Sequence, residues 1–280
     1  MPAENAPAEV AGGVYCLGVG RGMTASNVYF VRSGNSWTLI DAAWPGRGKL
    51  IRTAAESLFG NGTRPASMLL THIHPDHSGS ARELACIWDV PVYVHPGELP
   101  LVPGEYRPEY ANPLDRWLIV PLMRVLPRRT VGSLISKGSL AGVARPFDPA
   151  EPPPGLPDWK CIAVPGHTPG HVAFFRERDR VLIAGDAALT VNLNSLRDLA
   201  LHRHVVSGPP RYTTWDWPRA KQSVAALARL EPRVLACGHG QPMAGASTPE
   251  RLRVLAEEFS GSLAARRRSR ERAARTTAGT

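Results

Sequence analysis

The residues best suited to chemistry crowd into one short run, Thr71-His72-Ile73-His74-Pro75-Asp76-His77-Ser78-Gly79. Three histidines and one aspartate fall within six positions of it. Imidazole nitrogen and carboxylate oxygen together suit zinc, iron or manganese, and clustered His and Asp is a metal-binding pattern. The run follows an apolar stretch, Ser67 to Thr71, that reads as a strand. Strand side chains repeat every two residues, so His72 and His74 point the same way. The chain then turns, and Asp76 and His77 project from the turn near the same spot. A helix predicted from Ser78 to Asp89 turns its positive end toward any bound anion.

Three later positions are of the same type. His167 stands in Pro165-Gly166-His167-Thr168-Pro169-Gly170-His171, after a predicted strand Trp159 to Val164. Asp186 follows Ala184-Gly185 at the end of Arg180 to Ala184, and His239 sits in Cys237-Gly238-His239-Gly240 at the end of Arg233 to Cys237. Glycine beside each lets the backbone approach a ligand closely. Strand ends gathered on one edge would aim all seven side chains, His72, His74, Asp76, His77, His167, Asp186 and His239, at one point.

The elements that must position them follow from period and punctuation. Strands are expected at Gly13 to Gly18, Asn27 to Arg32, Trp37 to Asp41, Pro91 to His95 and Val172 to Arg176. Helices are expected at Lys49 to Phe59, Trp217 to Leu230 and Thr248 to about Arg268. Mixed strands with helices outside predict an α/β (α+β) fold of two packed sheets flanked by helices. The stretch Pro96 to Pro149 is proline-rich with poor periodicity. It reads as an insertion with one or two short helices around Asp115 to Leu126. Its apolar residues Trp117, Leu118, Ile119, Leu122, Met123 and Leu126 suit a lid over a cleft. They suit equally a face that packs on the domain or pairs two subunits as a homodimer. One domain is expected over residues 1–262, with the insertion at about 96–149, followed by an Arg-rich tail at 263–280.

The order His-x-His-x-Asp-His, Gly-His, Gly-Asp, Gly-His resembles the pattern of the metallo-β-lactamase superfamily, across roughly residues 12–245. The resemblance implies a four-layer αββα sandwich with a two-metal site between the sheets. It implies that His72, His74 and His167 hold one ion, that Asp76, His77 and His239 hold a second, and that Asp186 bridges them. A bridging Asp resembles the glyoxalase II-like branch and is absent from true β-lactamases, which points away from antibiotic hydrolysis. Asp41 matches the superfamily's strand-end Asp, a residue that orients a ligating His; the family's Gly two positions on is Ala43 here. The implied cofactors are two divalent metal ions, zinc first, with iron or manganese also suited. Two such ions ~3.5–4 Å apart can make a shared water into hydroxide near neutral pH. The expected function is therefore a metal-dependent hydrolase of a small ester-, thioester- or lactone-like substrate, with Asp76 also orienting the hydroxide or passing a proton.

Specific branches fit less well. One helix and a tail follow His239, too little for the glutathione-gripping region of glyoxalase II proper. Ala187 follows Asp186 where acyl-homoserine-lactone lactonases place Tyr, and His74 stands where diiron flavoproteins carry Glu. The alternatives are a mononuclear-iron persulfide dioxygenase-like oxidoreductase, which would not need the second ligand set, and a nucleic-acid phosphodiesterase. His171, His95, His202 and His204 read as packing or loop residues, with His171 beside the site and His202 and His204 able to meet an anionic substrate. Tyr212 is a candidate donor to a developing oxyanion.

Composition sets the outer limits. The chain is 43% hydrophobic and 20% charged, ordinary for a globular protein. It lacks a run of about 18 apolar residues, which excludes a spanning helix. Its start, Met-Pro-Ala-Glu-Asn, lacks a basic region and apolar core, so a cytoplasmic location is expected. The four cysteines, Cys16, Cys86, Cys161 and Cys237, are scattered, which argues against a disulfide frame or a thiolate zinc site. The net charge of +9 owes much to the six arginines of residues 264–280. Such a tail can meet nucleic acid; the insertion holds few basic residues, so nucleic acid is not the expected partner and a small-molecule substrate is.

Overall fold

A computed structural model describes residues 6–201 and 203–261. The strands are β1 (Ala8–Ala11), β2 (Val14–Val19), β3 (Ser26–Ser33), β4 (Ser36–Ile40), β5 (Ser67–Leu69), β6 (Val92–Val94), β7 (Ala144–Pro146), β8 (Lys160–Ala163), β9 (Val172–Arg176), β10 (Val181–Gly185), β11 (Val234–Cys237) and β12 (Met243–Ala244). The helices are α1 (Gly48–Phe59), α2 (Pro75–Ser78), α3 (Ala81–Trp88), α4 (Val120–Val125), α5 (Arg128–Gly138), α6 (Leu196–Ala200), α7 (Trp217–Ala228) and α8 (Thr248–Ser260). One sheet runs β1 to β7 in sequence order; the other runs β12-β11-β10-β9-β8. Both are mixed. In the first, β1 to β4 are antiparallel and β4 to β7 parallel. In the second, only β10 and β11 are parallel.

Alternation along the strands makes three apolar layers. Val28 and Phe30 of β3, with Met68 and Leu70, face α1 and α3, while Tyr29 and Val31 face the other sheet. On β10, Val181 and Ile183 point between the sheets, and Leu182 and Ala184 pack with Val224 and Leu227 of α7 and Leu252 and Leu255 of α8. Both faces of each sheet are thus buried, and the four-layer αββα sandwich follows.

Several elements differ from expectation. The helix expected from Ser78 to Asp89 is α3, which starts three residues later, and the turn before it is a separate short helix, α2; between them the Ser80 hydroxyl donates to the Trp44 carbonyl at 2.7 Å and accepts from Arg47 N at 2.8 Å. Helix α7 starts as its sequence suggests, with Asp216 accepting from Arg219 N at 3.0 Å and Pro218 in its first turn. Strand β1 and helices α5 and α6 were not expected. The stretch 96–149 holds a π-helical turn (Asp115–Ile119), α4 and α5, and ends on β7, which adds a parallel edge to β6. Of its apolar residues Trp117 is 82% exposed and Leu122 50%, while Met123 and Leu126 are half-buried. Helix α8 is described to Ser260; its expected continuation, the Arg-rich tail and His202 lie outside the described residues. Among the described residues no helix is long and apolar enough to cross a membrane.

Phe174, fully buried between the sheets, tests the sandwich. Phe174→Ala is expected to lower unfolding stability by about 3–5 kcal/mol, read as a lower urea midpoint at an unchanged slope.

Candidate metal centre

Both sheets deliver side chains to one edge of the sandwich. His72 and His74 follow β5, and Asp76 and His77 lie in α2. His167 lies beyond β8, Asp186 directly after β10, and His239 two residues after β11. Two glycines show why their neighbours cannot be larger. Gly166 has φ +131°, and a Cβ there would strike the backbone of Ala220. A Cβ on Gly238 would strike the Asp186 carboxylate.

All seven residues meet. Nδ1 of His74 lies 3.0 Å from Nε2 of His167. Asp186 stands between two groups: Oδ2 is 3.4 Å from His167 Nε2 and 3.2 Å from His239 Nε2, and Oδ1 is 3.4 Å from His77 Nε2. Asp76 Oδ2 is 3.2 Å from His239 Nε2 and 3.8 Å from His77 Nε2. Three sets of donor atoms each fall within 4.8 Å of one another: His72–His74–His167, His72–His77–Asp186 and Asp76–His77–His239.

Hydrogen bonds outside the cluster set the tautomers. Asp41 Oδ2 accepts from His77 Nδ1 at 2.9 Å. The Thr71 hydroxyl spends its proton on Asp41 at 2.9 Å, so it accepts from His72 Nδ1 at 3.0 Å. The Thr214 hydroxyl likewise donates to the Pro210 carbonyl at 2.6 Å and accepts from His167 Nδ1 at 3.2 Å. His239 Nδ1 donates to the Ala25 carbonyl at 2.5 Å. Each of these four rings therefore turns its Nε2 inward. His72 Nε2, His77 Nε2 and Asp186 Oδ1 are buried without a hydrogen-bond partner. Buried polar atoms are seldom left so. Converging lone pairs and carboxylate oxygens fit divalent cations, which would satisfy them all.

Electrostatics divides the cluster. Burial, then the surrounding histidines, holds His72 well below the ordinary imidazole range; burial holds His167 well below it too, and lowers His74 against the pull of Asp76 and Asp186. Burial also disfavours charge on His77 and His239, but the nearby carboxylates outweigh it, raising His77 and pushing His239 up to about 10. One side of the cluster is thus a set of neutral imidazoles, and the other pairs imidazole with carboxylate.

The supporting residues are equally definite. Asp41 also accepts from Thr71 N at 2.8 Å. It adopts φ 62°, a left-handed conformation that Asp tolerates; Ala43, in the position of the family's Gly, adopts φ 52°. His171 is not part of the donor set. Its Nε2 accepts from Asp186 N at 3.0 Å and its ring stacks on His72 at 4.7 Å, so it shapes the site. His95 accepts from Gly97 N, and His204 donates to the Gln241 carbonyl, away from the cluster. Tyr212 is held above its ordinary pKa by burial and by the charges of Asp186 and Asp76, so it keeps its proton.

Sequence reasoning missed Glu98. It is 1% exposed, and its carboxylate accepts from Ile73 N and from Gly170 N, each at 2.7 Å. It straps the loop of His72 and His74 to the loop of His167. A single Glu in a proline-rich stretch has no spacing to announce it.

Comparison with known proteins agrees with this geometry. The family model described as "Metallo-beta-lactamase superfamily" matches residues 21–239. The "Probable metallo-hydrolase YflN" of Bacillus subtilis is 38% identical over 256 residues, which cover 90% of this chain and 93% of that protein. A metallo-beta-lactamase family protein from Thermus thermophilus superposes with a TM-score of 0.64 at 22% identity, covering 90% of this chain and 81% of the other. A protein solved in a di-iron-bound form, TTHA1623, does so with a TM-score of 0.52 at 26% identity, covering 81% and 94%. The matched span runs through every donor from His72 to His239, and with a relative similar over nearly its whole length it places the chain in the metallo-beta-lactamase superfamily.

Proposed function

We propose that this protein is a binuclear metal-dependent hydrolase of small ester-, thioester- or lactone-like substrates, close in its ligand set to the glyoxalase II-like branch. One observation carries the reading: Asp186 stands between two groups of donor atoms that converge on it. His72, His74 and His167 would hold one ion, Asp76, His77 and His239 a second, and Asp186 both. Zinc, iron and manganese all suit this all-N/O set; the di-iron form of TTHA1623 keeps iron in view. Bound ions supply Lewis acidity to the substrate's acceptor oxygen and lower the pKa of water to about 7.

The chain's own residues do the rest. The Asp76 side chain is 19% exposed, against 3% for Asp186. Its Oδ2 faces the histidines, which leaves Oδ1 to orient a water and carry its proton to solvent. Asp186 is sealed from solvent and serves to fix the two groups. Tyr212, protonated at neutral pH, is placed to donate to an oxygen gaining negative charge. Asp41 holds the ring of His77, and Glu98 holds the spacing of the first triad's loops.

Three outcomes test the reading. Elemental analysis of protein purified without a tag should find two ions of zinc, iron or manganese per chain, with turnover of a thioester, lactone or other ester. One iron per chain without hydrolysis would overturn it in favour of a persulfide dioxygenase. Asp186→Ala should reduce loading to one ion and lower kcat by about a thousandfold, the equivalent of the several kcal/mol that a bound ion contributes. Asp41→Asn and Glu98→Gln keep shape but exchange an accepting oxygen for an amide; each should weaken ion affinity about 10–100-fold in chelator competition, with unchanged affinity refuting the roles given to them.

A further inference from the structure

Beside the cluster lies a cavity of about 370 Å³ walled by tryptophans and arginines. Trp117 and Arg116 come from the insertion, and Arg211, Trp215 and Trp217 from the segment that leads into α7. The two walls are tied: Trp215 Nε1 donates to the Glu109 carbonyl at 2.7 Å, and the rings of Tyr110 and Trp215 meet edge-on at 5.5 Å. Thr214, also in the lining, is the residue whose hydroxyl holds His167 Nδ1, and Trp215 N donates to the His167 carbonyl at 3.2 Å. The cavity therefore opens one residue from the first triad.

Its charge is unspent. Among the described residues neither Arg116 nor Arg211 has a carboxylate partner, whereas Arg219, over the Trp215 ring, is paired with Asp216 at 3.3 Å. The Arg211 guanidinium lies over Trp217, 4.9 Å from the ring centroid. A guanidinium stacked in this way keeps its N–H edge for a bidentate oxyanion. Aromatic faces beside it suit an apolar or flat body.

We propose that this cavity is the substrate's anion subsite: it takes a carboxylate or phosphate group on Arg116 and Arg211, with the adjoining apolar part of the molecule against the tryptophans. The inference rests on the hydrolase reading for its use in turnover but not for binding, and the two fail separately. The net charge of +9 draws such a molecule to the surface.

The test compares two esters with the same leaving group, mono-4-nitrophenyl succinate and neutral 4-nitrophenyl butyrate, on the metal-loaded full chain. The succinate ester should show a kcat/KM higher by about tenfold or more, as a charged hydrogen bond supplies. Arg116→Ala and Arg211→Ala should erase that ratio, mainly through KM, and Arg219→Ala should preserve it. Hydrolysis of both esters at equal kcat/KM would overturn the subsite and leave the hydrolase standing. If neither ester is hydrolysed, intrinsic tryptophan fluorescence of chelator-treated protein decides. Saturable quenching by phenylacetate or phenylphosphonate, with Kd raised about tenfold in Arg211→Ala, supports the subsite, and whichever binds tighter identifies carboxylate or phosphate. No saturable change with either would overturn it.

Discussion

The cluster depends on where its protons are. Four imidazole N–H bonds point outward, to Thr71, Asp41, Thr214 and Ala25, and each outward bond turns the ring's Nε2 inward. A buried space filled with lone pairs and two carboxylates is costly unless cations occupy it. The geometry of the Asp41 loop, the glycines at close approach and the strap from Glu98 all serve to keep that arrangement from relaxing. His171 belongs to the same order, since it holds the backbone of Asp186 and lies flat on His72.

The donors were legible in the sequence because chemistry and position coincide there. His and Asp at strand ends, beside glycine, are few in type and regular in place. The layers were legible too, through the short apolar runs of β3, β9 and β10, bounded by turn residues. What escaped had no such pattern. Strand β7 is three residues long and ends in proline, and α5 contains two glycines and three β-branched residues, so neither stands out against a loop. Glu98 acts through backbone N–H groups, which every residue has, and its partners lie 25 and 72 positions away. Asp41 was visible only through family resemblance; its bond to His77 depends on a left-handed backbone that no local signal requires.

The insertion joins support to access. Its first turn carries Glu98 into the protein, sealed and hydrogen-bonded, and its later turns carry Arg116 and Trp117 out to solvent. A segment anchored at one end to the ligand loops and open at the other is well placed to vary in what it admits without disturbing what it holds. Its exposed apolar residues continue the open end, away from the sheets.

The division of donors between the sheets has a further consequence. The first sheet is complete by Pro146 and the second begins at Lys160, so chain order and layer order coincide. His72, His74, Asp76 and His77 come with the first; His167, Asp186 and His239 come with the second. Neither half owns a closed coordination set, and Pro152-Pro153-Pro154-Gly155 lies at the seam. A chain opened at that seam would part the seven donors into a set of four and a set of three, which meet only when the two sheets pack through their shared apolar layer.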